Sequence, residues 1–222
     1  MTKNNRTRQE QDMLNRRLAI ALNSGRIDEV RQFLRDGADA SFRQTGEEPL
    51  LSFAAAFDSV EMVALLIEYG ADVHACDKDG VTPLECALES AQFDSALLLM
   101  KHGASLNQQK IKGVTIPPFA AAILADHSHN SVERTEFVLA HAPDLGLRFT
   151  RGTQVDCTVR DVIADYIETA HIRKRPVAKM ICDLLDAHID AQRRAAVDAR
   201  MKKLRDKQQG EMRRKGNGKY KL

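Results

Sequence analysis

Three segments decide the architecture: Phe33-Leu34-Arg35-Asp36-Gly37-Ala38-Asp39, Leu65-Leu66-Ile67-Glu68-Tyr69-Gly70-Ala71-Asp72 and Leu98-Leu99-Met100-Lys101-His102-Gly103-Ala104-Ser105. Their glycines, Gly37, Gly70 and Gly103, stand 33 residues apart, and each follows an apolar stripe and opens a short polar turn. Glycine tolerates the left-handed backbone that a Cβ resists, so the three positions read as helix C-terminal stops. Pro49 and Pro83 lie upstream, where a fixed φ and a missing amide hydrogen suit a first helical turn. Helices therefore start near the prolines and stop near the glycines. A period of this length predicts stacked units that cannot bury their apolar faces alone.

Between these markers, Ala54, Ala55 and Ala87 permit close helix approach. Val60, Val63, Leu66 and Ile67, then Leu97, Leu98 and Met100, supply bulk at helical spacing. A second motif recurs in register with the first: Gly80-Val81-Thr82-Pro83-Leu84-Glu85-Cys86-Ala87, with a looser copy in Pro49-Leu50-Leu51-Ser52-Phe53-Ala54-Ala55. The two motif types together resemble the ankyrin repeat, with Glu85 standing where that family's Thr-Pro-Leu-His-x-Ala signature has His. The resemblance implies an all-α solenoid of helix-turn-helix units with projecting turns.

A fourth unit opens at Gly113-Val114-Thr115-Ile116-Pro117-Pro118-Phe119 and closes at Ala142-Pro143-Asp144. Gly103 to Ala142 is 39 residues, six beyond the period, and an insertion at Asp126–Ser131 between the two helices is the expected source. Two amphipathic stripes follow: Val159, Val162, Ile163, Tyr166 and Ile167, then Val177, Ile181, Leu184, Leu185 and His188 after Pro176. They read as a divergent terminal cap. At the other end, Thr7-Arg8-Gln9-Glu10 has capping-box spacing, and Leu14, Leu18 and Leu22 continue at i+4 steps. The expected organisation is a basic arm over 1–17 running into the first helix, a solenoid over 18–190, and a basic helical extension and tail over 191–222.

The net charge of +2 conceals an asymmetry. Residues 192–222 carry 12 Lys or Arg against 3 Asp or Glu, residues 18–191 carry 16 against 26, and residues 1–17 carry 5 against 2. An acidic body thus has basic ends. Arg193, Arg194, Arg200, Lys202, Lys203, Arg213, Arg214 and Lys215 are candidates for binding nucleic acid or another polyanion. The extension has Tyr220 as its single aromatic and no nucleic-acid-binding motif, so a solvated helix is the preferred reading. Val197, Met201, Leu204 and Met212 trace a weak apolar track that permits self-association.

No apolar run is long enough to cross a membrane, and the residues after Met1 do not resemble a signal peptide, so a cytoplasmic location is expected. Cys76, Cys86, Cys157 and Cys182 have no zinc-site spacing and read as buried or semi-buried thiols. Asp126, His127 and His129 fall short of a metal-ligand set. Phosphate-loop, His-Glu-x-x-His and Gly-x-Ser-x-Gly motifs do not occur, and Asp161 and Asp165 read as solvated acids on a helix face. The expectation is a chain without cofactor, metal or catalysis.

The resemblance further implies that first helices line a groove and that turns project as fingers, both binding proteins. Aligning units on the 33-residue period places Ile20, Asn23 and Ser24, then Phe53, Ala56 and Phe57, then Cys86, Glu89 and Ser90, then Phe119, Ala122 and Ile123 in that groove. Phe53 and Phe57 are either an exposed aromatic patch or core. Phe42, Arg43 and Glu48, then Asp77, Lys78 and Asp79, then Gln108, Lys110 and Lys112, belong to the fingers. The function expected from the resemblance is that of a stoichiometric inhibitor, an antitoxin-like protein or a regulatory adaptor.

Overall fold

The computed structural model describes residues 7–43, 48–57, 59–107, 117–124, 131–141, 144–145, 148–151, 154–169 and 175–216. Helices α1 (Arg8–Asn23), α3 (Leu50–Ala56), α5 (Pro83–Glu89) and α7 (Pro118–Leu124) pack on one another in that order as one layer. Helices α2 (Ile27–Arg35), α4 (Val60–Glu68) and α6 (Phe93–Lys101) form the layer behind, and α8 (Ser131–Ala140) packs on α7. Each consecutive pair is one helix-turn-helix unit. The core runs between the layers through Leu18, Leu51, Leu66, Leu84, Leu88, Leu99, Phe119 and Ile123, all at most 1% exposed.

The 33-residue period is written in backbone hydrogen bonds. Gly37, Gly70 and Gly103 have φ of +89°, +90° and +102°. Their N–H groups donate to Leu34, Ile67 and Met100 at 3.0 Å, and those of Ala38, Ala71 and Ala104 donate to Phe33, Leu66 and Leu99 at 2.9, 2.9 and 3.0 Å. This is the Schellman closure, in which a left-handed residue lets the chain satisfy two orphan carbonyls. Asp39, Asp72 and Ser105, again 33 apart, use a side-chain oxygen to accept from the amide two residues on, at 2.9, 2.9 and 3.2 Å. Short polar side chains fold the finger turns in this way.

The turns inside the units need a left-handed residue as well. Between α1 and α2 it is Gly25, φ +69°, but between α5 and α6 it is Ala91, φ +56°. Alanine is strained there, so Ala91→Gly is expected to stabilise the protein by about 0.5–1 kcal/mol, read as a higher urea midpoint at unchanged slope.

Helix starts follow the capping chemistry. Thr7 Oγ1 accepts from the Glu10 amide at 3.3 Å while the Thr7 amide donates to Glu10 Oε2 at 2.8 Å, a reciprocal capping box. The same box at Thr82 and Glu85 starts α5, but there it is buried, with Glu85 1% exposed. Asn15, also buried, ties α1 to the first finger by accepting from the Asp39 amide at 2.9 Å.

The excess length of the fourth unit is distributed rather than placed at one insertion. Helix α7 begins 35 residues after α5, at 118 against 83, so two residues are added before the helix. The rest enters between α7 and α8 and as an extra residue in α8 itself.

Beyond α8, strands β1 (Phe149–Arg151) and β2 (Gln154–Cys157) pair antiparallel, with Phe149 opposite Cys157 and Arg151 opposite Gln154. This hairpin is a small addition to an otherwise helical fold, and the helical periodicity gives no sign of it. Its cue is Gly152-Thr153 between two short runs holding β-branched and aromatic residues. Helix α9 (Val159–Thr169) then packs on α7 and on α10 (Arg175–Gly216), burying Val159, Val162, Ile163, Ile181 and Leu185. Arg160 grips Asp186 across that packing through both Nε and Nη2, the latter at 3.0 Å. Helix α10 is unbroken through the 190/191 position, so the cap helix and the basic extension form one rod of 42 residues. Helix α1 likewise spans the 17/18 position.

Candidate functional site

The layer α1, α3, α5, α7 presents side chains that the core does not use. On α1, Leu18, Ala21 and Leu22 turn inward, which leaves Ile20 57% exposed and Asn23 exposed beside it. The first finger brings Phe42 and Arg43 over the same place, and the four residues with Asp12, Arg16 and Ala19 line an open cleft of ≈ 570 Å³. Two candidate sets, one from a helix and one from a turn, therefore converge. Arg43 is held there, its Nη1 donating to the Cys76 carbonyl of the next finger at 2.8 Å. Phe42 is half-buried and packs against the core.

On α3 the two phenylalanines divide the alternatives between them. Phe53 is half-buried and packs against the core, whereas Phe57, where the helix gives way to extended backbone, is 50% exposed. Their ring centroids are 4.5 Å apart at 39°, a favourable tilted contact. Phe53 thus acts as the base on which the exposed ring of Phe57 rests.

On α5, Cys86 is half-buried and Glu89 and Ser90 are exposed. Burial first, and then the nearby carboxylates of Glu89, Glu48, Glu85 and Asp77, push the Cys86 thiol up to about 12. Of these carboxylates Glu89 is exposed, Glu48 and Asp77 are half-buried and Glu85 is buried beneath the face. Cys76, by contrast, is exposed, which corrects its placement among the sheltered thiols: it sits in a finger turn rather than on a helix. Thiolate is the reactive form, so iodoacetamide near neutral pH is expected to label Cys76 and spare Cys86 in the native protein, with both labelled after denaturation, as read by peptide mass spectrometry.

The fourth-unit assignment is overturned. Phe119 and Ile123 are 0% exposed and Ala122 is 1% exposed, so none lies on the face. The two residues added before α7 shift its register, and the positions matching Cys86 and Glu89 from the helix start are Ala121 and Leu124, both half-exposed. The face is consequently more apolar at this end.

The second finger is a tight turn. Asp77 Oδ1 accepts from the amides of Asp79 and Val81 at 2.9 and 2.8 Å, which leaves the side chains of Lys78 and Asp79 exposed. Gln108, Lys110 and Lys112 of the third finger, and Asp126, His127 and His129, lie outside the described residues. Among the described residues, no group of three or more His, Cys, Asp and Glu could hold a metal ion. Asp161 caps the start of α9, where it accepts from the Thr158 amide at 2.9 Å and hydroxyl at 2.7 Å, and these bonds hold its carboxyl below the usual range. Asp165 is exposed.

Two buried polar residues support the face: one stands at the His position of the repeat motif, and the other has no signature in the repeat pattern. Glu85 anchors α5 through its buried cap, and Arg134 of α8, 3% exposed, donates from Nη1 to the Glu89 carbonyl at 2.9 Å. Glu89 ends α5, so the guanidinium meets the negative end of the helix dipole. Arg193, Arg194, Arg200, Lys202 and Lys203 are exposed along α10; Arg213, Arg214 and Lys215 belong to the same helix, their side chains outside the described set. No described helix is long and apolar enough to cross a membrane.

The profile of ankyrin repeats, in three copies, matches residues 18–110. The chain is 30% identical over 61% of its length to human ankyrin repeat and SOCS box protein 16, covering 28% of that protein. It is 26% identical over 65% of its length to an ankyrin repeat protein of fowlpox virus, covering 42% of it. It is 29% identical over 50% of its length to the NF-kappa-B inhibitor cactus of Drosophila yakuba, covering 24% of it. The chain thus spans less than half the length of each of these relatives.

Proposed function

Because residues 18–110 of this chain are ankyrin repeats, an architecture of protein–protein interaction, we propose that it acts by stoichiometric binding of a protein partner, as an inhibitor, antitoxin-like protein or regulatory adaptor. The observation that carries this reading is the exposed face itself. Ile20, more than half exposed, lines the cleft under Phe42 and Arg43, and Phe57, half exposed, caps the end of the adjacent first helix. Large apolar side chains left in water next to polar neighbours mark interaction surfaces. The first helices beneath are packed on one another over a buried core, an arrangement that limits the conformational freedom lost on association. The likeness to an NF-kappa-B inhibitor supports the inhibitory form of the proposal.

The test is affinity capture from nuclease-treated native lysate with the full chain and with Ile20→Glu/Phe57→Glu. Both residues are exposed, so the fold should be kept; Phe53 is unsuitable because it packs on the core. A partner retained by the wild type in defined ratio and lost with the variant supports the proposal. Recovery of nucleic acid alone, falling steeply with salt and indifferent to the variant, would replace it with binding through α10.

A further inference from the structure

Helix α10 leaves the body abruptly. Every residue from Asp190 to Lys203, and again from Arg205 to Lys207, is exposed. Val197 at 60% and Met201 at 45% exposure lie one helical turn apart, on one side of the rod. Residues 193–207 carry seven Lys or Arg against two Asp or Glu. Val197 and Met201, set among these positive charges, stand exposed on a continuous α10 that does not turn back onto the described part of the body. Pairing with the same segment of another copy would bring the two basic rows together, which like-charge repulsion opposes.

The solenoid itself supplies the complement of that segment. Its face offers exposed Ile20 and Phe57 and, near Cys86, the exposed Glu89 with the half-buried Glu48 and Asp77. Apolar meets apolar, and these carboxylates meet Arg and Lys. Dimensions agree as well. Residues 191–207 make a helix about 25 Å long at 1.5 Å per residue. Four first helices at interaxial spacings of 8–10 Å span about 24–30 Å.

We propose that the projecting basic segment of α10 docks on the first-helix face of a second copy of the chain, so that the protein assembles head to tail and its own helix competes with other partners for the face. The inference rests on the proposed binding role of that face. Such a contact is heterologous: each molecule offers one helix and one face, and chains grow unless the ring closes.

Sedimentation velocity on the full-length protein tests this, at rising concentration and at low and high salt, after nuclease treatment, with circular dichroism to verify the fold of each variant. The wild type should grow in mass with concentration, and less so at high salt. Val197→Glu/Met201→Glu, and Ile20→Lys/Phe57→Lys on the face, should each be monomeric. Mixed, the two variants should form a one-to-one dimer and nothing larger, because one intact helix and one intact face remain. A wild type that stays monomeric overturns the proposal, as does assembly abolished by the α10 variant but not by the face variant, or a mixture that does not associate. If self-assembly is lacking while partner capture still depends on Ile20 and Phe57, this inference alone fails and the binding role of the face stands.

Discussion

Phe119→Ala is expected to destabilise the protein by about 3–5 kcal/mol, the cost of emptying a fully buried aromatic site. Phe119 is 0% exposed on α7, where its amide also donates to the Leu106 carbonyl at 3.1 Å. Helix α7 touches α5, α8 and α9, so it couples the repeats to the terminal helices. In a stacked array, stability is close to a sum of unit and neighbour terms, and weakening one interior unit uncouples those on either side. Urea unfolding should show a lower midpoint, or a transition split into two. Phe57→Ala, which removes a half-exposed ring, should cost under about 1 kcal/mol on the same assay. The contrast is decisive because the 33-residue period treats Phe119 as an equivalent of groove positions in the earlier units. Equal small losses would mean that α7 sits in the other register.

Glu85→Ala should cost about 2–4 kcal/mol, more than an ordinary cap. One carboxylate oxygen, Oε2, accepts from the Thr82 amide at 2.7 Å and from its hydroxyl at 3.0 Å, while Thr82 Oγ1 accepts from the Glu85 amide at 3.3 Å. Thr82 and Glu85 are both buried, at 6% and 1% exposure, so deletion strands two donors away from water. An exposed capping box lets water step in; this one does not. Glu85→Gln keeps an acceptor of the same length and should recover most of the stability, whereas Thr82→Val should resemble the alanine variant. Denaturant melts of the three variants test the ranking, and a neutral Glu85→Ala would show that the cap is not an anchor of α5.

The candidate face was legible in proportion to how local its causes are. Ile20 and Asn23 follow from the helical period of α1, since the stripe Leu14, Leu18 and Leu22 fixes which side turns inward. Cys86 and Glu89 follow from Pro83 by the same logic. That logic fails at Phe119 and Ile123 because burial there depends on where α7 starts, and the two residues that moved it lie in a connection with no period of its own. The cleft joining Ile20 and Asn23 to Phe42 and Arg43 needed three dimensions, since the finger contributing the last two folds back over α1. Arg134 gave no warning in a polar stretch of sequence, yet it is buried because the end of α5 supplies its acceptor.

Backbone preferences acting over a few residues set the repeat, its helix starts and its stops. Positive φ selects Gly37, Gly70 and Gly103, fixed φ selects Pro83, and short side-chain hydrogen bonds select Thr7, Asp39 and Asp72. Those effects are the same in any context and can be read one residue at a time. Packing between units settled what faces outward: the register of α7, the burial of Glu85 and Arg134, the sharing of Phe53 and Phe57 between core and surface, and the departure of α10 from the body. Burial is a property of neighbours that the chain brings together from far apart, and no single stretch of residues contains it.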